Sequence, residues 1–152
     1  MEKITRQDID NFLDCKTIAV AGASRNEKSF SASVSAHLRS KNYKVFSINP
    51  NFIENNSERN EFKTTADLPS DINNLLVLTS PLQTTSVIQQ AVEKGIQNIW
   101  IQQKSETPEA LDLCRINNIQ LVYKHCIFMF TQPEGIHRFH YGMKKIFGLI
   151  PH

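Results

Sequence analysis

Small polar and basic side chains follow the first strongly apolar segment of the chain, TIAVA, in the stretch GASRNEKSFSAS. Gly22 lets a ligand approach the backbone closely, while Ser24 and Ser31 offer hydroxyls to a phosphate. Arg25 and Lys28 add positive charge. The first turn of a helix that follows such a turn has free N–H groups, which favour an anion. This combination predicts a site for a phosphate-bearing ligand.

A dinucleotide site is the obvious alternative, and two features count against it. Residues 22–27 read GASRNE, with one glycine where the GxGxxG fingerprint has three. The next apolar segment ends at Asn49 and Pro50, where the fingerprint calls for an acid that grips the ribose. An NAD(P)-dependent oxidoreductase or redox sensor therefore stays open as an alternative, but it is disfavoured.

No catalytic or metal constellation is predicted. His125 and Cys126 are adjacent, so in an extended strand they point in opposite directions, which favours a buried cysteine beside a surface histidine over a nucleophile pair. His137 and His140 would share a helix face, and a solvated or interface face is favoured over a metal site there. We expect no catalytic residue and no metal ligand.

The three cysteines form no CxxC and no zinc-binding pattern, which indicates free thiols in a reducing cytoplasm. The formal net charge is only +2, from 17 basic and 15 acidic residues, so neither nucleic acid nor an anionic membrane is indicated as a partner. No apolar run approaches the ~20 residues that cross a bilayer. The charged N-terminus has no secretory pattern. A cytoplasmic protein is predicted.

Apolar segments alternate with helical patterns along the chain. Five strands are predicted at 17–21, 43–48, 74–79, 97–101 and 119–123, and helices at 4–14, 29–40, 83–94 and 107–117. Residues 61–65 form a short extended piece in this prediction, and 67–69 one helical turn. Such alternation predicts an α/β, Rossmann-like three-layer fold, with a five-stranded parallel sheet and helices on both faces.

The 152 residues are predicted to form a single domain with a C-terminal helical extension at about 135–149. That extension carries apolar and aromatic residues. It would pack back on the domain, or on a protein partner or a second copy of the chain.

Ligands of open parallel sheets bind beyond the carboxyl ends of the strands, where the strand order switches sides. The residues predicted to bind the ligand all fall at those ends. They are Gly22, Ser24, Arg25, Ser31, Asn49, Pro50, Ser80, Pro81 and Gln102.

Seven short motifs in this order resemble one family. They are TIAVAGAS at 17–24, Ser31 with Val34, VFSINPN at 45–51, TTADLP at 64–69, LLVLTSP at 75–81, IWIQQ at 99–103 and YKHC at 123–126. The chain resembles the small stand-alone CoA-binding proteins of bacteria, which are similar to the nucleotide-binding domain of the succinyl-CoA synthetase alpha subunit.

The resemblance implies that the fold holds coenzyme A through its ADP and pantetheine parts. Gly22 and Ser24 would meet the phosphates, and Arg25 and Ser31 would flank them. It places three further groups around the ligand: Asn49 and Pro50 on the nucleotide side, Ser80 and Pro81 at the third predicted strand, and Gln102 in a Trp-x-Gln pattern. Gln103 stands where the family commonly has a glycine.

The sequence thus predicts non-catalytic binding of coenzyme A or acyl-CoA at the carboxyl edge of the sheet. Besides the NAD(P) alternative, a third remains: an interaction protein with a vestigial nucleotide pocket. This third hypothesis rests on two features: Gln103 in place of the family's glycine, and the aromatic residues near the C-terminus.

Overall fold

Helices and strands alternate in the structure, a computed structural model that describes residues 3–131. The helices are α1 (Arg6–Asp14), α2 (Phe30–Ser40), α3 (Pro81–Lys94) and α4 (Pro108–Ile116). The strands are β1 (Thr17–Ala21), β2 (Lys44–Ile48), β3 (Glu61–Phe62), β4 (Asn74–Val77), β5 (Asn98–Gln102) and β6 (Gln120–His125). Single 3-10 turns lie at Thr65–Asp67 and Ile127–Met129.

The strands form one sheet in the order β3-β2-β1-β4-β5-β6, and every neighbouring pair is parallel. This confirms the Rossmann-like α/β class. The sheet has six strands, however, and not the predicted five. The additional strand, β3, pairs with Ser47 and Ile48 of β2. Two residues are too few for alternation to mark a strand, so the sequence showed this segment only as a short extended piece.

Two apolar clusters cover the two faces of the sheet. One face packs against α1 and α2, through side chains such as Phe12 and Leu38. The other packs against α3 and α4, through side chains such as Ile88 and Leu111. Alternate strand residues supply both clusters, because successive side chains of a strand point to opposite faces.

Local sequence signals explain where the helices begin and end. Thr5 and Asp8 form a capping box at the start of α1, and Ser29 caps α2 by accepting a hydrogen bond from the Ala32 N–H. Gly95 closes α3 with a φ of +85°, as its predicted cap position requires. The turn expected at 67–69 lies two residues earlier, because a capping box begins it at Thr64.

Some predictions concern residues that the structure does not describe. The C-terminal helix at 135–149, its contact with a partner, and His137 and His140 all lie outside residues 3–131. Within those residues, no group of three or more His, Cys, Asp or Glu is arranged to hold a metal ion. No helix there is long and apolar enough to cross a membrane.

Candidate functional site at the carboxyl edge of the sheet

The strand order reverses at β1. The chain goes from β1 through α2 to β2 on one side, and it later returns to β4 on the other side of β1. The connections after β1 and β4 therefore leave in opposite directions at the carboxyl edge. In this sheet topology, that divergence opens the crevice in which ligands bind.

Gly22 sits at this switch point, and its geometry is set by the chain itself. Its φ is +85°, and its N–H donates to the carbonyl of Ile48 at 3.0 Å. A Cβ on Gly22 would lie 3.1 Å from both the carbonyl carbon of Leu78 and the nitrogen of Thr79. The close approach that the sequence ascribed to a ligand is thus made by the backbone after β4. Ligand contact at Gly22 stays a prediction.

Asn49 ties the end of β2 to the loop after β1. Its Nδ2 donates to the carbonyl of Ala23 at 2.6 Å, and its Oδ1 accepts from the N–H of Asn51 at 2.9 Å. An acid at this position has no hydrogen to donate to Ala23. The side chain therefore has a structural role, whereas the neighbouring Pro50 is exposed.

The loop between β1 and α2 is organised by its own side chains. The Oγ of Ser24 accepts from the N–H of Asn26 at 3.0 Å, and the Oδ1 of Asn26 accepts from the N–H of Lys28 at 3.0 Å. Ser31 is buried, and its Oγ lies 3.3 Å from that of Ser29. These bonds fix the entry into α2.

The first turn of α2 keeps donors available. Within the described chain, the N–H groups of Phe30 and Ser31 donate to no partner. Lys28 is exposed just before them, and its Nζ makes no hydrogen bond or ion pair with residues 3–131. Free N–H groups at a helix start, with a cation beside them, attract an anion.

The guanidinium of Arg25 is already engaged by other side chains. Its Nη2 forms an ion pair with the Oε2 of Glu61 at 2.5 Å, and its guanidinium lies 4.9 Å from the centre of the Phe52 ring. The hydrogen bond raises the pKa of Arg25 and lowers the pKa of the Glu61 carboxyl. Arg25 thus joins the loop to β3, and its predicted contact with a phosphate stays a prediction.

Ser80 and Pro81 stand at the start of α3, on the β4 side of the switch point. Ser80 is the N-cap residue and Pro81 the first helical residue, and both are exposed. The Ser80 hydroxyl makes no hydrogen bond within residues 3–131. It is therefore available to a ligand at the carboxyl edge.

A cavity of about 300 Å³ opens at the same edge, between the start of α2 and the ends of β4, β5 and β6. Its lining residues are Phe30, Leu78, Gln102, Gln103, Lys104, Ser105, Cys126 and Met129. Gln102 is the one residue of the predicted set that lines it. Phe30, the first residue of α2, places the cavity directly beside the free N–H groups of that helix.

Only the oxygen of the Gln102 side-chain amide is hydrogen-bonded within the described chain. Gln102 is 5% exposed, and its Oε1 accepts from the N–H of Ile127 at 3.1 Å. Its Nε2 donates to no residue of the described chain. The pairing of β5 with β6 shifts register at this residue, so that Gln102 pairs with His125. His125 is itself buried, at 7% exposed, so the prediction of a surface histidine beside a buried Cys126 is wrong for the histidine. An amide donor therefore remains available at the cavity wall.

Lys104 occupies an unfavourable backbone conformation at the cavity, with a φ of +72°. A lysine in the left-handed region costs roughly 1–2 kcal/mol relative to its ordinary conformation. Strained residues of this kind concentrate at functional sites. Lys104 has this conformation, whereas Gln103, where the resemblance leads one to expect a glycine, does not.

The sequence did not identify the apolar wall of the cavity. Phe30, Leu78 and Met129 come from three separate segments, and each apolar residue alone is typical of the core. One sequence signal was present for Phe30, because it is an aromatic residue among serines in the first turn of a predicted helix. In the structure its side chain is 47% exposed. Nothing comparable marked Leu78 or Met129.

The fold is of the Rossmann type, with its strand-order switch point at β1. The family model of the CoA binding domain matches residues 16–132. The chain therefore belongs to the CoA-binding domain family, as its motifs predicted. No protein of curated function matches it significantly.

Solved structures share the fold. A hypothetical protein from Pyrococcus horikoshii is 25% identical, with a TM-score of 0.73 over 84% of this chain and 94% of its own. A conserved hypothetical protein from Pyrococcus furiosus is also 25% identical, with a TM-score of 0.69 over 75% of this chain and 97% of its own. A Thermus thermophilus protein is 21% identical, with a TM-score of 0.73 over 91% of this chain and 99% of its own.

Proposed function

We propose that the protein binds coenzyme A or an acyl-CoA at the carboxyl edge of its sheet, without catalysing a reaction on it. One observation carries the proposal. In a chain of the CoA-binding domain family, a cavity with an apolar wall opens directly beside a helix start with free N–H groups. Coenzyme A has both matching parts, a pyrophosphate and an uncharged pantetheine arm.

The first turn of α2 receives the pyrophosphate in this proposal. The N–H groups of Phe30 and Ser31 supply donors, and Lys28 supplies a positive charge that no described residue already neutralises. Lys104, at the cavity, supplies a second cation near the same turn. Charge-assisted hydrogen bonds of this kind are stronger than neutral ones.

The cavity receives the pantetheine arm. The wall formed by Phe30, Leu78 and Met129 suits its methylene groups, and the free Nε2 of Gln102 suits one of its amide carbonyls. A pocket with a largely apolar lining and a few placed polar groups is the usual form of a small-molecule site. Its lining contains no carboxylate and no histidine.

The end of β2 favours coenzyme A over NAD(P). Where a dinucleotide-binding protein places an acid on the ribose, the Nδ2 of Asn49 donates one hydrogen to the Ala23 carbonyl, and its Oδ1 accepts from the Asn51 N–H. The side chain is therefore committed to the protein.

Isothermal calorimetry with coenzyme A, acetyl-CoA and NAD tests the proposal. We expect heat of binding with both CoA species and none with NAD. The Lys28→Glu variant should weaken CoA binding about tenfold, since a lost charge-assisted bond costs roughly 1.5 kcal/mol.

Lys3→Glu is the matched control for charge reversal. Lys3 lines a separate groove beside β6, together with Asp8 and Arg115. This variant should bind CoA as the parent does. If a folded parent protein gives no heat with either CoA species, or if NAD binds more tightly than they do, the proposal is wrong.

A further inference from the structure

The cavity, at about 300 Å³, lies at the small end of the range of roughly 300–1,000 Å³ that is usual for small-molecule pockets. Such a space fits a short chain with a sulfur at its end. Given the proposed CoA site, this end is the cysteamine portion of pantetheine.

Two polar groups at the cavity bear on how the sulfur end of such a ligand would be held. The Nε2 of Gln102, on a side chain that is 5% exposed, lacks a partner within the described chain. This nitrogen lies at the wall of the open cavity, where a carbonyl oxygen of a ligand could accept its hydrogen. Cys126 is the other group: it is 3% exposed, it lines the same cavity, and it forms no disulfide.

We propose that Cys126 undergoes thiol–disulfide exchange with a disulfide of coenzyme A or pantetheine that enters this cavity, with Gln102 as the positioning residue. The proposal rests on the proposed function, because it places the sulfur end of the same ligand. It makes the protein a carrier or sensor of oxidised CoA thiols as well as a CoA binder.

The reaction needs no oxidant beyond the disulfide itself. The Cys126 thiol loses its proton to solvent, and its thiolate attacks one sulfur of the CoA disulfide. The S–S bond of that disulfide breaks, and one CoA thiolate leaves and takes up a proton. The product is a mixed disulfide between Cys126 and the second CoA.

The proposed step assigns no role to His125. Its ring packs edge-on against the Phe130 ring, with centroids 5.7 Å apart, and its carbonyl accepts from the indole N–H of Trp100.

The other two cysteines are internal controls. Cys114 is buried on α4 in the opposite apolar cluster, and burial raises its pKa to about 12. Cys15 is exposed, and its Sγ donates to the carbonyl of Thr17 at 3.4 Å. Neither lines the cavity, so selective reaction of Cys126 would report on the cavity and not on general thiol reactivity.

The experiment treats the full chain with CoA disulfide or with pantethine, the disulfide of pantetheine, and maps adducts by mass spectrometry. We expect one reducible adduct on Cys126, none on Cys114, and slower labelling of Cys15. Cys126→Ser should abolish the fast adduct, and Cys114→Ser should leave it. Gln102→Glu keeps an oxygen for Ile127 but loses the free donor, so labelling should slow about tenfold.

Calorimetry with acetyl-CoA on the same samples separates the two proposals. If acetyl-CoA binds but Cys126 is not labelled faster than Cys15, the exchange proposal is overturned and the binding function stands. If pantethine labels Cys126 selectively but no CoA species binds, the cavity assignment stands and the proposed function fails. If neither occurs, both are wrong. In urea all three cysteines should label alike, which shows that the selectivity belongs to the folded site.

Discussion

Asn49 donates its Nδ2 hydrogen to the carbonyl of Ala23 at 2.6 Å, and so joins the end of β2 to the loop that follows β1. The two residues are 26 positions apart in the chain. The bond occupies the place where a dinucleotide-binding protein would present an acid to a ribose. The same residue that disfavours NAD(P) thus holds the candidate phosphate loop in shape.

The Asn49→Asp variant should lose this connection. A carboxylate cannot donate to Ala23, and its charge faces a carbonyl oxygen, so the free energy of unfolding should fall by about 1–3 kcal/mol at neutral pH. Asn49→Ala is the control, because it removes the bond without adding the charge and should cost less. Urea denaturation measures both. Equal stability of the Asp variant and the parent would show that the bond contributes nothing.

Gly22 and Gly95 provide a matched pair of glycine positions. Both have a φ of +85°, but only Gly22 has backbone atoms, those of Leu78 and Thr79, 3.1 Å from the site of a Cβ. Gly95→Ala should cost about 1 kcal/mol for the left-handed conformation alone. Gly22→Ala should cost roughly 1–3 kcal/mol more, because the ends of β1 and β4 must separate. Thermal unfolding of the two variants tests this, and equal losses would contradict it.

Lys104 should show opposite effects on stability and on binding. Lys104→Gly relieves its positive φ and should raise the free energy of unfolding by up to about 1 kcal/mol. The same change removes a cation from the cavity and should weaken CoA binding. Lys124→Gly is the control, since Lys124 also has a positive φ, of 62°, but does not line the cavity. Weaker binding in both variants, or in neither, would refute the role of Lys104.

The ion pair between Arg25 and Glu61 should make stability depend on acid pH. Its hydrogen bond lowers the pKa of Glu61 from 4.5, so the carboxylate stabilises the fold above that pH and loses the effect as pH falls through the lowered value. The parent should therefore be more stable than Glu61→Gln at pH 7, with the difference shrinking below pH 4.5. Glu58→Gln, an exposed change in the preceding loop, should show no such trend. A difference that does not vary with pH would argue against the pair.

Local patterns were sufficient to predict the framework of this fold. The apolar segments such as TIAVA placed β1 and its neighbours, and Gly95 marked the end of α3. They could not reveal β3, since two residues carry no periodicity, and they could not pair Arg25 with Glu61 across 36 positions. Nor could they assemble the cavity wall, because Phe30, Leu78 and Met129 meet only after the sheet has formed.

Amide chemical-shift mapping during a titration with coenzyme A tests the central claim most directly. The account predicts saturable shifts at Ser24, Phe30 and Ser31 and in the side-chain amide of Gln102, with little change at Lys3 and Asp8 beside β6. Shifts confined to that second groove, or no shifts at concentrations that saturate typical cofactor sites, would contradict it.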